Sequence, residues 1–296
     1  ADAAQDLAQR GRLGDALAEM DAAIKLRPDD TDLLMKRGAL NLVAHDIDKA
    51  LADFDEAIKR DPTQWEALDA RGMALLVKRK PMDAIDDFSQ SLELHSDNPM
   101  AREGRVKAYI ANHQLDKALA EARMFARLYP ELDEAQSTLA STLIDAKKYD
   151  EALDAYRKAV ALAPDDADLL NEFGDQLTQC NGATGAACDK QHAEALAIYD
   201  KVIAIEPTAH AYIARSQVRP PLDFDLKKKD IDAALSMSPD DDYALTARAS
   251  LLLAQKNYAA AVADATRVID RPHTEYGDTA RKVRATARLA SASTPS

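Results

Sequence analysis

The sequence predicts an all-α fold, a solenoid of about eight 34-residue helix–turn–helix units closed by a C-terminal capping helix. Three observations carry that prediction. Glycine is scarce, with 9 in 296 residues, and aromatics make up 5%, a composition that favours helix over a many-turned β architecture. Apolar residues recur at three- and four-residue steps. In residues 133–164, Ala135, Leu139, Ala140 and Leu143 mark one helical face, and Ala152, Tyr156, Ala159 and Val160 mark a second. The same pattern then returns along the chain at a fixed period, as it must where no unit can bury its apolar face alone.

The units follow in order. Pro28, Pro62, Pro130 and Pro164 close second helices at intervals of 34, 68 and 34 residues, and Ser96 fills the missing slot. Ala16, Ala50, Ala84, Ala118 and Ala152, all 34 apart, open the second helices, and Met20, Phe54, Phe88, Ala122 and Tyr156 follow four residues later. Small residues at Gly38, Gly72, Ala140 and Gly174 let the two helices of a unit cross closely. This combination resembles the tetratricopeptide repeat (TPR) of bacterial-type arrays, and the resemblance covers nearly the whole chain. It implies one right-handed superhelix whose first helices line a concave groove.

Beyond Pro164 the register slips. The sixth unit, with Leu170, Phe173, Gly174 and Leu177, closes at Pro207, 43 residues after Pro164. Nine extra residues therefore sit around 180–188, and the second helix is expected to resume at Ala195 and Tyr199. The seventh unit closes at Pro239, two residues short of the period, with Pro220-Pro221 ending its first helix near Val218. Lys227 takes its alanine slot, so distorted packing is expected there. The eighth unit returns through Ala261 and Ala265 to His273. A single solenoid over residues 1–290 is expected, with a capping helix near 275–290 and a disordered tail at 291–296. A break into two domains at 218–226 is the alternative. Ala1 falls in the register of a first helix, so the opening unit is expected to be clipped. The start also fits a mature exported chain or a trimmed piece.

Chemistry is sparse. With 38 basic and 51 acidic residues the formal charge is −13, which repels nucleic acid. The one dense basic run, Lys227-Lys228-Lys229, is flanked by Asp225 and Asp230 and reads as a solvated helix face. No apolar run approaches the roughly 20 residues that span a bilayer. Cys180 and Cys188 bracket the insertion, and a disulfide there would hold it in one shape, stabilising by about 2.5 kcal/mol. Such a bridge favours a periplasmic or otherwise exported location over the cytoplasm. His192 would supply only a third metal ligand where a structural zinc site takes four, so no metal is expected. His45 and His113 share a turn slot with Arg79, Lys147 and Lys256, and read as exposed turn residues. Asp30, Asp165, Asp166 and Asp240 to Asp242 follow the closing prolines and read as helix caps. No catalytic constellation and no cofactor motif is present, so the chain is not expected to be an enzyme.

The resemblance implies where a partner would lie. Two columns on the first helices follow the repeat: Met35, Asp69, Glu103, Ser137 and Asn171, and one turn later Ala39, Met73, Lys107, Ser141 and Asp175. Members that grip acidic C-terminal tails carry lysines and asparagines in these slots. Here Lys107 stands among acidic neighbours, so that role is not carried over. The apolar start of the columns favours a protein or peptide with an apolar anchor and polar or basic flanks. The expected function is a non-enzymatic interaction scaffold, monomeric or weakly self-associating. The alternatives are a recognition arm of a larger exported enzyme, protease or transglutaminase-like, and a self-assembly module. Trp65 reads as packing on the preceding turn.

Overall fold

A computed structural model describes Leu7 and residues 10–271 and 275–292. The expected opening helix, His273 and residues 293–296 of the tail lie outside the described residues, Leu7 excepted. Among the described residues every element is helical. The helices are α1 (Leu13–Leu26), α2 (Thr31–Val43), α3 (Ile47–Arg60), α4 (Trp65–Val77), α5 (Pro81–Leu94), α6 (Pro99–Ala111), α7 (Leu115–Leu128), α8 (Asp133–Asp145) and α9 (Tyr149–Leu162). They continue as α10 (Ala167–Thr178), α11 (Ala186–Ile205), α12 (Ala209–Val218), α13 (Phe224–Met237), α14 (Asp242–Ala254), α15 (Tyr258–Ile269) and α16 (Gly277–Ala292). They group into two compact units, Ala1–Leu162 and Ala163–Ser296.

Five hairpins turn by the same device. The first helix ends on a residue in the left-handed region: His45, Arg79, His113, Lys147 and Lys256 have φ of 59°, 59°, 57°, 57° and 63°. At Lys147 the turn is a Schellman motif, with its N–H donating to Ile144 O at 2.8 Å and that of Lys148 to Leu143 O at 2.8 Å. The shared slot of histidines, arginine and lysines is therefore a backbone requirement met by long polar side chains. Second helices stop before the closing prolines, and the next helix begins on a cap. Asp30, Asp46, Asp166 and Asp241 each accept from the N–H three residues on.

In the first unit, consecutive helices pack pairwise, and α2, α4, α6 and α8 also pack on one another. The second helices α3, α5, α7 and α9 have no comparable mutual packing, so open furrows remain between them. Close approach is set by glycine against an aromatic ring. A Cβ on Gly38 would lie 2.4 Å from Phe54 Cε1, and one on Gly72 would lie 2.8 Å from Phe88 Cζ. Gly104, from the following hairpin, meets the same ring, where a Cβ would lie 2.4 Å from Cζ. Phe88 is fully buried.

The second unit keeps the plan with two changes. Helix α11 begins at Ala186, nine residues before Ala195, because the segment from Ala186 contains no glycine or proline and opens with two alanines. Most of the insertion is thus an extension of the helix rather than loop. Helix α12 ends at Val218, as the proline pair requires. Lys227 is half-buried and burial lowers its pKa, while Ile231, 3% exposed, carries the core one turn on. Helix α16 buries Ala280, Val283 and Ala287 and leaves its basic side exposed.

Two glycine substitutions should move stability in opposite directions. Lys147→Gly relieves a left-handed side-chain residue and should stabilise by about 1 kcal/mol. Gly104→Ala should destabilise by about 1–3 kcal/mol, because overpacking against the buried Phe88 ring outweighs the gain in helix propensity. Chemical denaturation of the two variants checks both signs.

Candidate functional site

The hairpins are clamped by arginines that the sequence reading passed over. Arg71, on α4, donates through Nε and Nη2 to Asp87 on α5 at 2.9 and 2.7 Å, and through Nη1 to Asp55 on α3 at 2.7 Å. One guanidinium therefore ties three helices. Arg37 bridges Asp53 and Asp21 in the same way, and Arg105 bridges Glu121 and Ser89. In the second unit Arg215 joins Asp230 to Asp200, and Arg248 joins Asp264 to Asp232. The side-chain hydrogen bonds from these carboxylates raise the pKa of Arg37, Arg71 and Arg248 against the opposing effect of burial. The signal was present in the sequence as an acidic residue 16 positions after Arg37, Arg71, Arg105 and Arg248, and 15 after Arg215. The fifth hairpin breaks it, with Leu139 and Ala155 in the two slots.

These clamps line furrows between successive second helices. A cavity of about 360 Å³ lies between α1, α2 and α3, with Asp21, Arg37, Asn41 and Asp53 in its walls and floor. One of about 480 Å³ lies between α3, α4 and α5 around Asp55, Arg71 and Asp87. A third, of about 570 Å³, lies between α7, α8 and α9, where Leu139, Ala126 and Leu162 make the surface apolar and Arg127 and Lys158 rim it.

None of the ten first-helix column residues lines any of these furrows. In the first unit, Ala39, Met73 and Lys107 are exposed, and Met35, Glu103, Ser137 and Ser141 are half-buried. Lys107 pairs with Glu103 at 2.6 Å, one turn apart on α6. Asp69 departs from the expected column because it is only 2% exposed. Its Oδ2 accepts from Asn98 Nδ2 at 2.7 Å, and burial raises its pKa despite that bond. Asn98 in turn caps α6, so this carboxylate serves the join between hairpins. Trp65 stacks on His95, the C-cap of α5, at 4.5 Å, so its ring packs on the turn that follows its own hairpin rather than on the preceding one.

Asn171 and Asp175 belong to the second unit, and both are half-buried. Asp175 accepts from Tyr199 Oη at 2.7 Å and pairs with His210 Nε2 at 3.1 Å. Burial pushes its pKa up, but the His210 and Tyr199 hydrogen bonds outweigh that and hold it below the usual carboxylate range. The same bond raises His210. Cys180 and Cys188 form a disulfide with Cα atoms 5.2 Å apart, and Cys180 takes the left-handed slot at the end of α10.

Repeated hairpins of this plan define a helical-repeat protein. Models of the tetratricopeptide repeat match residues 1–64, 70–133 and 228–273, and residues 133–166. The chain belongs to the tetratricopeptide repeat family. Solved structures agree on the fold. A tetratricopeptide repeat protein from Parabacteroides merdae aligns with TM-score 0.56 at 16% identity, over 97% of this chain and 96% of that one. The pilF protein of Pseudomonas aeruginosa aligns with TM-score 0.57 at 16% identity, over 71% and 92%. A thermophilic TPR protein of Thermus thermophilus aligns with TM-score 0.52 at 22% identity, over 60% and 96%. No curated protein matches the chain. Among the described residues, no helix is long and apolar enough to cross a membrane.

The Asp175–His210 pair gives a pH signature. His210, raised above 6.5, contributes stability that is present below about pH 6.5 and lost as pH rises through its folded pKa. Asp175, lowered below 3.8, contributes stability present above about pH 4 and lost as pH falls further. The loss of Tm in His210→Ala should therefore be larger near pH 5.5 than near pH 8.5. Thermal melts at the two pH values check it.

Proposed function

We propose that this chain is a non-enzymatic protein-interaction scaffold. It takes an extended peptide or protein segment along the first-helix face of its first unit. The observation that carries the reading is the contrast between recurring scaffold slots and a varied exposed face. Along the repeat, the alanine, aromatic and clamp positions largely keep their chemistry, while Met35, Ala39, Met73, Glu103, Lys107, Ser137 and Ser141 change theirs. Membership in a family that generally binds proteins supports the class.

The apolar stretch at Met35, Ala39 and Met73 suits an apolar anchor, and methionine adapts its shape to a partner. Glu103 and the overall charge of −13 suit a segment with polar or basic flanks. The disulfide supports an oxidising compartment as the place of action. Asn171 and Asp175 form a separate candidate patch on the second unit.

Affinity capture from the source cell, comparing wild type with Ala39→Arg/Met73→Arg, tests the reading. A partner bound by wild type should lose at least about tenfold in affinity, the size of a contact worth about 1.4 kcal/mol, with helicity unchanged. Retained affinity in the double variant would remove the first-helix face as the site. Asp69 is unsuited to such a test, because its substitution strips Asn98 of a buried partner.

A further inference from the structure

The insertion of the sixth hairpin brings three metal-ligating side chains to one point. His192 follows Cys188 by four residues on α11, so both project from one helical face. Cys180 reaches them from the end of α10. His192 Nε2 lies 3.2 Å from Cys180 Sγ and 3.7 Å from Cys188 Sγ. The three ligand atoms lie within 4.8 Å of one another, and all three residues are half-buried. Thr178 O, 3.2 Å from the same nitrogen, adds a carbonyl to the cluster. Closing an eight-residue separation by a disulfide requires no histidine, yet the ring is aimed at both sulfurs.

We propose that the disulfide masks a redox-gated zinc site, and that the reduced chain binds one Zn²⁺ through Cys180, Cys188 and His192. A dithiol reductant supplies two electrons to the S–S bond. The bond breaks, each sulfur takes a proton, and the reductant leaves as its own disulfide. Zinc then displaces both thiol protons. The two thiolates neutralise its charge, and neutral His192 donates the Nε2 lone pair with its proton on Nδ1.

Two thiolates, one imidazole and a water complete a tetrahedral set with one exchangeable position. The sulfurs must separate until each stands about 2.3 Å from the metal. Residues 181–185 can supply that movement, since Gly182 and Gly185 already occupy positive φ of 76° and 56°. Reoxidation by a disulfide oxidant, which takes the two electrons and leaves as its own two thiolates, re-forms the S–S bond, removes both thiolate ligands and ejects the ion. Counting ligands in the sequence pointed away from metal because a closed structural site takes four. The folded helix supplies three converging donors, which is the number for a site with an open position.

The test reduces the full chain with excess dithiol, removes the reductant without oxygen, and titrates Zn²⁺ against a chromophoric chelator of about micromolar affinity. The expected result is one zinc bound by the reduced chain, both thiols protected from titration, and no binding by the oxidised chain. His192→Ala should still form the disulfide and keep its helicity. It should lose more than the roughly tenfold in zinc affinity that even outer-shell partners typically cost. Cobalt substitution should show thiolate-to-metal charge-transfer absorption that Cys188→Ser weakens. No zinc bound by the reduced chain would overturn the proposal. So would equal binding by the oxidised chain, or an unchanged affinity in His192→Ala.

Discussion

The structure depends on how closely one helix can approach the next, and the outer end of an aromatic ring pressed against glycine sets that distance. Phe88 touches Gly72 of its own hairpin and Gly104 of the following one, so a single ring fixes both the crossing within a hairpin and the step between hairpins. Phe54 on Gly38 and Tyr199 on Gly174 repeat the crossing contact. Packed at this spacing, the first helices of the first unit touch one another, and the second helices do not. The exposed first-helix face and the furrows behind it are both consequences of that asymmetry.

Apolar contact alone leaves the helices free to rotate about their axes, and the arginine clamps remove that freedom. A guanidinium presents its donors in a fixed fork, so Arg71 can satisfy Asp87 through two bonds and Asp55 through a third only in one orientation. Asp87 has a side chain 6% exposed, and Arg71 is 25% exposed. Much of the cost of desolvating the carboxylate is offset by the paired bonds, which makes the clamp a device for geometry more than for net stability. It also consumes acidic residues that composition alone would assign to the surface.

What the sequence disclosed and what it hid divide along a physical line. Residues that repeat at the chain's own period were legible: closing prolines, helix-opening alanines, capping aspartates, the shared turn slot at His45 and Lys147. Which periodic slots pair with which was not. Arg71 and Asp87 stand 16 residues apart, a distance fixed by the hairpin turn rather than by either helix. Asp69 sits in a column of first-helix positions by number, yet it is buried because Asn98 of the next hairpin folds over it. Periodicity assigns a face to a side chain, and only the neighbouring hairpin decides whether that face stays open. The helical start of the insertion at Ala186 was hidden for a related reason. The repeat said where a second helix must be, and was silent about how far ahead of that point it could begin.

The same reasoning tells scaffold from specificity. Where a slot keeps its chemistry from hairpin to hairpin, packing demands it, and substitution there reports on folding. The fifth hairpin drops the clamp for Leu139 and Ala155 without losing its helices, so one clamp is dispensable where buried Ala140, Ala152 and Tyr156 still pack. The sixth hairpin goes further, adding nine residues that the stack does not need. They place Cys180, Cys188 and His192 together, and among the described residues no other hairpin offers a cluster of that kind. Scaffold economy accounts for neither feature. A departure that costs chain length and adds nothing to the stack is held in place by something other than folding, and in this chain the departure with the most chemistry is the cysteine–histidine loop.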